Sequence, residues 1–284
     1  MIFSFLPFML QAETDVDRLV TELNSLAHYQ LTDWKYASDP QILEMSPQDL
    51  SEPTFDLTNW KSMNYQTRLY VDSCWLRISV TLPKTMMGQE LSGPIRLLLS
   101  VDDYGYLWVN GAARGYFPWD GEFIIAENAQ PGMKFIILIK AMNTGGPLRL
   151  LRAELELDTL KSFKNELDNL SLSFLVGQKL LGSDTYQTSA RNKIDPGIDK
   201  SHFNKVQKLK LYDKLQKLAG QIDIKSLKNN DRLSFERSTQ KVKSQLKKID
   251  HFVKNFTLYF TSNAHIDAAW LWRKTETQEV CKNT

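Results

Sequence analysis

Cysteine is nearly absent from this chain. Cys74 and Cys281 are the only two in 284 residues. They stand far apart, with no CxxC or zinc-finger spacing, so a disulfide framework and a cysteine-built zinc module are both excluded. Both read as free thiols, and neither identifies a compartment. Long apolar runs are missing too: none approaches the roughly 18–20 residues of a membrane helix, so no membrane partner is expected. The Gly-rich phosphate loops GxxxxGK[ST] and GxGxxG do not occur. No internal repeat is visible. Charge of either sign is not in excess, since the formal net charge is +2. The 42% hydrophobic and 24% charged content is that of a soluble globular chain, long enough for more than one domain.

The N-terminus carries an apolar run, Ile2 to Leu10, of signal-peptide length. Gln11-Ala12-Glu13 could follow a cleavage point, although no Lys or Arg precedes the run. Residues 1–13 therefore read as the remnant of an export signal. The expected location is periplasmic or secreted, with the cytoplasm as the alternative.

Residues 14–157 read as β-structure. From Arg149 to Leu157, Leu151, Ala153, Leu155 and Leu157 alternate with Arg152, Glu154 and Glu156, which predicts a half-buried strand. Phe135 to Ile139 is continuously apolar, as in a central strand. Ile95 to Val101 and Tyr106 to Val109 are further candidates. Asn110-Gly111, Asp120-Gly121, Pro131-Gly132 and Gly145-Gly146-Pro147 are turn signals between them. Many short strands with such turns predict a sandwich or barrel.

Residues 158–251 read as a helical connecting region. Leu160, Phe163, Leu167, Leu170 and Phe174 recur at helical spacing, as do Leu211, Leu215 and Leu218, and Val242, Leu246 and Ile249. Gly182 to Asp199 is polar and predicts a loop. Gly220 is a candidate stop and Asp231 a candidate N-cap. From Glu156 to Asp250 there are 19 Lys and Arg against 12 Asp and Glu. The lysines are spread around the helices without interleaved aromatics, so a solvated face is the better reading and no nucleic acid is expected.

At Phe252 the pattern changes again. Phe256 to Phe260 predicts the opening strand of an α/β domain over 252–284, with a helix from Trp270 to Val280 after it. The strand runs into Asn263-Ala264-His265-Ile266-Asp267-Ala268-Ala269-Trp270-Leu271-Trp272. A strand that ends in a polar loop puts side chains at the carboxyl edge of a sheet, where α/β folds bind ligands. His265 and Asp267, at i and i+2, point the same way in an extended segment and could reach one cation. Imidazole and carboxylate both suit Zn²⁺, but two ligands do not complete a site. A local hydrogen-bonded His–Asp pair is the competing reading.

These ten residues resemble the signature of the α-mannosidases of glycoside hydrolase family 38, a Gly-Asn/His-Ala/Thr-His-Ile/Leu-Asp-x-x-Trp-Leu-Trp stretch after the first strand of the catalytic domain. Asn263 to Asp267 and Trp270 to Trp272 match it, Glu276 fits a trend for Glu in the following helix, and Ser262 departs from the usual Gly. The full match covers only the last thirty or so residues. The resemblance implies that His265 and Asp267 are ligands of one zinc ion and that Trp270 stacks on the mannose ring bound there. It implies a retaining α-mannosidase acting on mannose-containing glycans. The nucleophile, the acid/base and the remaining ligands would lie beyond Thr284, so this stretch would be an N-terminal fragment, inactive alone and with no catalytic residue of its own. Trp75 and the stretch Val101-Asp102-Asp103 to Leu107-Trp108-Val109-Asn110-Gly111 resemble, more loosely, the galactose-binding-type sandwich of several glycosidases. Trp108 and Trp119 read as core or interface residues before sugar contacts.

The expected architecture is therefore multidomain: a galactose-binding-like β-sandwich, a helical connection and the start of an α/β catalytic domain. Three rivals stay open. One is a non-catalytic carbohydrate-binding β-sandwich. Another is an interaction protein contacting an acidic partner through Lys205, Lys208, Lys210 and Lys214. The last is a Ser/His/Asp hydrolase through Ser262, which lacks a nucleophile-elbow context. Homo-oligomerisation stays open.

Overall fold

The computed structural model describes residues 13–182 and 205–253. The chain divides into one compact unit over residues 1–248 and a second over 249–284. The described elements, in chain order, begin with helix α1 (Asp15–Ala27), strands β1 (Tyr29–Gln30) and β2 (Trp34–Ala37), and the short helices α2 (Pro40–Leu43) and α3 (Pro47–Leu50). Strands β3 (Lys61–Met63), β4 (Ser73–Thr81), β5 (Thr85–Met86), β6 (Gln89–Glu90), β7 (Ile95–Val109), β8 (Ala112–Ala126), β9 (Lys134–Met142) and β10 (Arg149–Leu157) follow. A single 3₁₀ turn, Asp158–Leu160, leads into α4 (Lys161–Gly182), then α5 (Lys205–Ala219), α6 (Ile224–Lys228) and α7 (Arg232–Val253).

The β-rich character read from the sequence holds, with one exception at its start. Residues 15–27 form a helix and not a strand. Val16, Leu19, Leu23 and Ala27 give it a buried face at spacings of three and four, and Thr14 caps it with a reciprocal Asp17 capping box. α1 packs on α4 and α5, so it joins the helical layer although it precedes the sheet.

The sheet is antiparallel, in the order β1-β10-β7-β9-β4-β2-β3, with β8 paired to β7. β7 is the long central strand. Its first half pairs with β10 and its second half with β9, and the register breaks between Ser100 and Tyr104. The sandwich-like form thus arises from one sheet that curls at β7. Odd-numbered β7 residues Ile95, Leu97, Leu99, Val101, Leu107 and Val109 are buried on one face, together with Ile137 and Ile139 of β9.

Asn110 and Gly111 both take positive φ and close the β7–β8 hairpin, as an Asn-Gly pair between strands predicts. Asp120-Gly121 does not form the expected turn; both lie inside β8. Gly121 is there for space, because a Cβ would come within 2.6 Å of the Phe123 ring and 2.8 Å of Phe117. β10 keeps the predicted bounds but not the predicted half-burial. Glu154 and Glu156 are 8% and 7% exposed, because polar side chains of the helical layer, His28 and Lys164, meet this face of the strand.

The helical periodicities hold where they can be followed. Leu160, Phe163, Leu167, Leu170 and Phe174 are buried, as are Leu215, Leu218 and Val242. Gly220 directly follows α5, and Asp231 Oδ1 accepts from Ser234 N at the head of α7. The expected loop beyond Gly182, the N-terminal apolar run and everything after Val253 lie outside the described residues. Among the described residues no helix is long and apolar enough to cross a membrane.

Candidate functional site

The residues to which the sequence assigns chemistry, His265, Asp267 and Trp270, lie outside the described residues, as does Cys281. Among the described residues no group of three or more His, Cys, Asp or Glu could hold a metal ion. Cys74 is a free thiol on β4, fully buried, and burial pushes it up to about 12. It is therefore packed and unreactive at neutral pH.

Two constellations emerge from the described fold. The first joins the sheet to the helices. His28, at the C-cap of α1, has Nδ1 3.1 Å from Glu154 Oε2 and Nε2 3.1 Å from Asp168 Oδ1. Arg152 also donates to Glu154 at 3.1 Å, and Lys164 donates to Asp168 at 3.1 Å and lies 3.9 Å from Glu156. Tyr65 Oη lies 2.8 Å from the Leu31 carbonyl and 2.9 Å from that of Ala153, and burial pushes its hydroxyl up to about 12. The charged members and His28 engage one another, Tyr65 engages two backbone carbonyls, and both imidazole nitrogens face carboxylates. A general base needs a free nitrogen beside a substrate; this cluster offers none and acts as a polar bolt between β10, α1 and α4.

Burial pushes the Glu154 carboxyl up, but the hydrogen bonds from His28 and Arg152 outweigh it and leave Glu154 below the ordinary value of 4.5. A carboxylate depressed by folding stabilises the protein above its unfolded pKa, and that contribution is lost as pH falls through the folded one. The wild type should therefore lose stability below about pH 4.5 more steeply than Glu154→Gln. Urea midpoints of the two proteins at neutral and acid pH measure the difference. Parallel acid slopes would remove Glu154 from this role.

The second constellation is aromatic. Antiparallel register puts Tyr116 of β8 opposite Tyr106 of β7, Tyr106 opposite Lys140 of β9, and Lys140 opposite Trp75 of β4. Directly paired residues share a face of the sheet. Tyr104 and Trp108 lie two residues either side of Tyr106 on the same face. Ring centroids are 5.4 Å apart for Tyr106–Tyr116, 5.7 Å for Tyr104–Tyr116, 6.3 Å for Tyr104–Tyr106 and 6.4 Å for Tyr106–Trp108. Trp108 then meets Trp75 edge-on at 5.3 Å, and Lys140 Nζ sits 5.3 Å over the Trp75 ring while donating to the Leu43 carbonyl.

The two ends of this row differ. At the β4 end Trp75 is 1% exposed, in a core with Ala37, Leu50, Trp60 and Leu138, against which Ile42, Leu43, Met45, Phe55, Leu57 and Trp108 pack. At the β8 end nothing covers the row among the described residues, and Tyr106 and Tyr116 are 41% and 51% exposed. Trp108 is thus the packing residue the sequence suggests. Trp119 is not a core residue: it is 48% exposed at positive φ. The three tyrosines were not legible as a cluster, because their convergence depends on the β7–β8 register.

No family model matches the chain, and no curated protein matches it. Solved structures match part of it. The β-glucuronidase of Bacteroides uniformis is 15% identical with a TM-score of 0.36, over 45% of this chain and 17% of that one. The Faecalibacterium prausnitzii β-glucuronidase is 18% identical with a TM-score of 0.31, over 40% and 21%. A glycosyl hydrolase family 2 member from Bacteroides cellulosilyticus is 11% identical with a TM-score of 0.35, over 46% and 20%. The match spans about a fifth or less of each of those chains. Likeness at this level carries no argument about activity, so the family 38 resemblance rests on residues 263–272 alone.

Proposed function

We infer that the protein is a glycoside hydrolase of the zinc-dependent, retaining α-mannosidase type, and that the described residues form its accessory β-domain and helical layer. The observation that carries this reading is the ordered agreement of Asn263, His265, Asp267, Trp270 and Trp272 with the family 38 signature. A neutral imidazole and a carboxylate are a donor pair that zinc accepts. His265 and Asp267 would hold the ion, which when bound supplies a positive charge that orients sugar hydroxyls. The indole face of Trp270 would pack against the apolar face of the mannose and fix its position for attack. The retaining reaction also needs two carboxylates about 5–5.5 Å apart; none of the described acidic residues is assigned to that pair.

The test is hydrolysis of an aryl α-mannoside by the protein expressed from its complete gene. Activity should vanish with chelator, return with Zn²⁺, and fall at least about a hundredfold in His265→Ala and Asp267→Ala, the range expected when metal binding is disturbed. Activity that survives both substitutions would sink the ligand assignment. A protein with no activity on any α-mannoside would sink the enzyme class.

A further inference from the structure

The aromatic row on the outer face of β7 and β8 is made of residues other than those that would hold zinc. We propose that Tyr104, Tyr106 and Tyr116, floored by Trp108, form a non-catalytic subsite for the pyranose rings of an uncharged glycan.

The composition of the exposed surface points to this ligand. In the β-rich part the large exposed apolar side chains are Tyr70, Tyr106, Tyr116 and Trp119, all aromatic and all with a polar atom. The exposed aliphatic ones, Leu172, Val176, Val206, Leu209 and Leu233, are all on the helices. Aliphatic side chains suit a protein partner. A sugar ring offers axial C–H bonds to an aromatic face and hydroxyls at its rim, and a phenol answers both. None of the three phenol hydroxyls bonds another described residue, whereas the half-buried Tyr65 hydroxyl lies within 3 Å of two carbonyls.

The surface is also pre-organised. The rings hold one another at 5.4–6.4 Å, and the Trp108–Trp75 contact ties them to a closed core. Rigid aromatics lose little entropy on binding. The only charged side chain in the cross-strand row is Lys140, already engaged by the Trp75 ring and the Leu43 carbonyl. The row itself complements an uncharged pyranose ring, with the exposed Arg114 two residues from Tyr116 on β8 as the nearest charge beside it.

The subsite does not depend on the zinc reading, and the test keeps them apart. The 284-residue chain is held in excess chelator and titrated with a linear mannotetraose, cellotetraose and, as an acidic control, a hyaluronan tetrasaccharide. Calorimetry gives affinity, and saturation-transfer NMR reports which sugar protons touch the protein. At least one neutral tetrasaccharide should bind saturably and shift the wild-type tyrosine ring resonances, with the acidic one weaker. The Tyr106→Ala, Tyr116→Ala double variant should bind at least about tenfold more weakly, the scale of two lost aromatic contacts, while Tyr116→Phe keeps most of the affinity. Circular dichroism establishes that each variant folds; should the double variant fail to, the wild-type ring shifts decide. No saturable binding of either neutral glycan, binding without tyrosine shifts, or undiminished binding by a folded double variant overturns the proposal. A double variant whose only change is loss of self-association overturns it too, and assigns the face to a second copy.

Discussion

Trp75→Ala lowers the unfolding free energy by about 3–5 kcal/mol, the range for emptying a large aromatic site. The indole is 1% exposed and touches a cluster drawn from separate places in the fold: Ala37 from β2, Leu50 from α3, Leu138 from β9, and Trp60. Each neighbour is fixed by its own element, so the site cannot collapse and the cavity term is retained in full. Trp108 loses its edge-on partner and Lys140 the ring beneath it. The indole N–H, by contrast, is buried with no hydrogen-bond partner among the described residues. Trp75→Phe therefore removes a desolvated donor along with part of the ring, and costs less than truncation to alanine. Urea unfolding of the three proteins at constant slope separates the two effects. If Trp75→Ala costs under about 1.5 kcal/mol, the surrounding elements are free to close and Trp75 is not what holds them.

The pair of substitutions also tests how the aromatic row is supported. Trp108 is half-buried because Trp75 stands behind it, and Tyr106 leans on Trp108 at 6.4 Å. A loss at Trp75 should reach the exposed tyrosines through this chain of contacts. Trp75→Phe, which keeps an aromatic edge at the same place, should leave them ordered. Order at Tyr106 and Tyr116 can be read from their ring resonances in each variant.

Local patterns carried the strands and helices into the sequence reading, while long-range placement escaped it. Arg149–Leu157 is legible because apolar residues alternate along one strand, and Asn110-Gly111 because its two positive φ angles suit few other pairs. The burial of Glu154 was not legible, since its partners His28 and Asp168 come from α1 and α4. The same holds for the tyrosines. A regular ladder away from the Val109–Ala112 pair would place Tyr106 opposite Gly115. The irregularity between Leu107 and Trp108 shifts the pairing by one, so that Tyr106 meets Tyr116. A one-residue shift moves a whole strand to the other face, and nothing in the order of residues announces it beyond Gly115 at φ 136. The motif around His265 is legible for the opposite reason: its residues are contiguous.

Gly105→Ala should cost about 1–3 kcal/mol, the overpacking range, and the loss should be partly recovered by Phe117→Leu. Gly105 stands between Tyr104 and Tyr106 on β7, paired with Phe117 of β8 on the buried face. A Cβ there would lie 2.7 Å from the tip of the Phe117 ring and 3.1 Å from Ile139. Phe123 packs edge-on against Phe117 at 5.8 Å and limits its retreat. The clash must then open the β7–β8 pair, whose opposite face carries the tyrosines. Leucine at 117 has no atom where the ring tip stood, so the added methyl fits. The double variant should be more stable than the sum of the single losses implies, by about 1 kcal/mol or more, as for residues in direct contact. Additive losses would mean that Gly105 serves the strand through its backbone and not by the space it leaves for Phe117. Glycan affinity measured on the same three proteins extends the test: Gly105→Ala alone should weaken binding by displacing Tyr104 and Tyr106, and Phe117→Leu in the same chain should restore it.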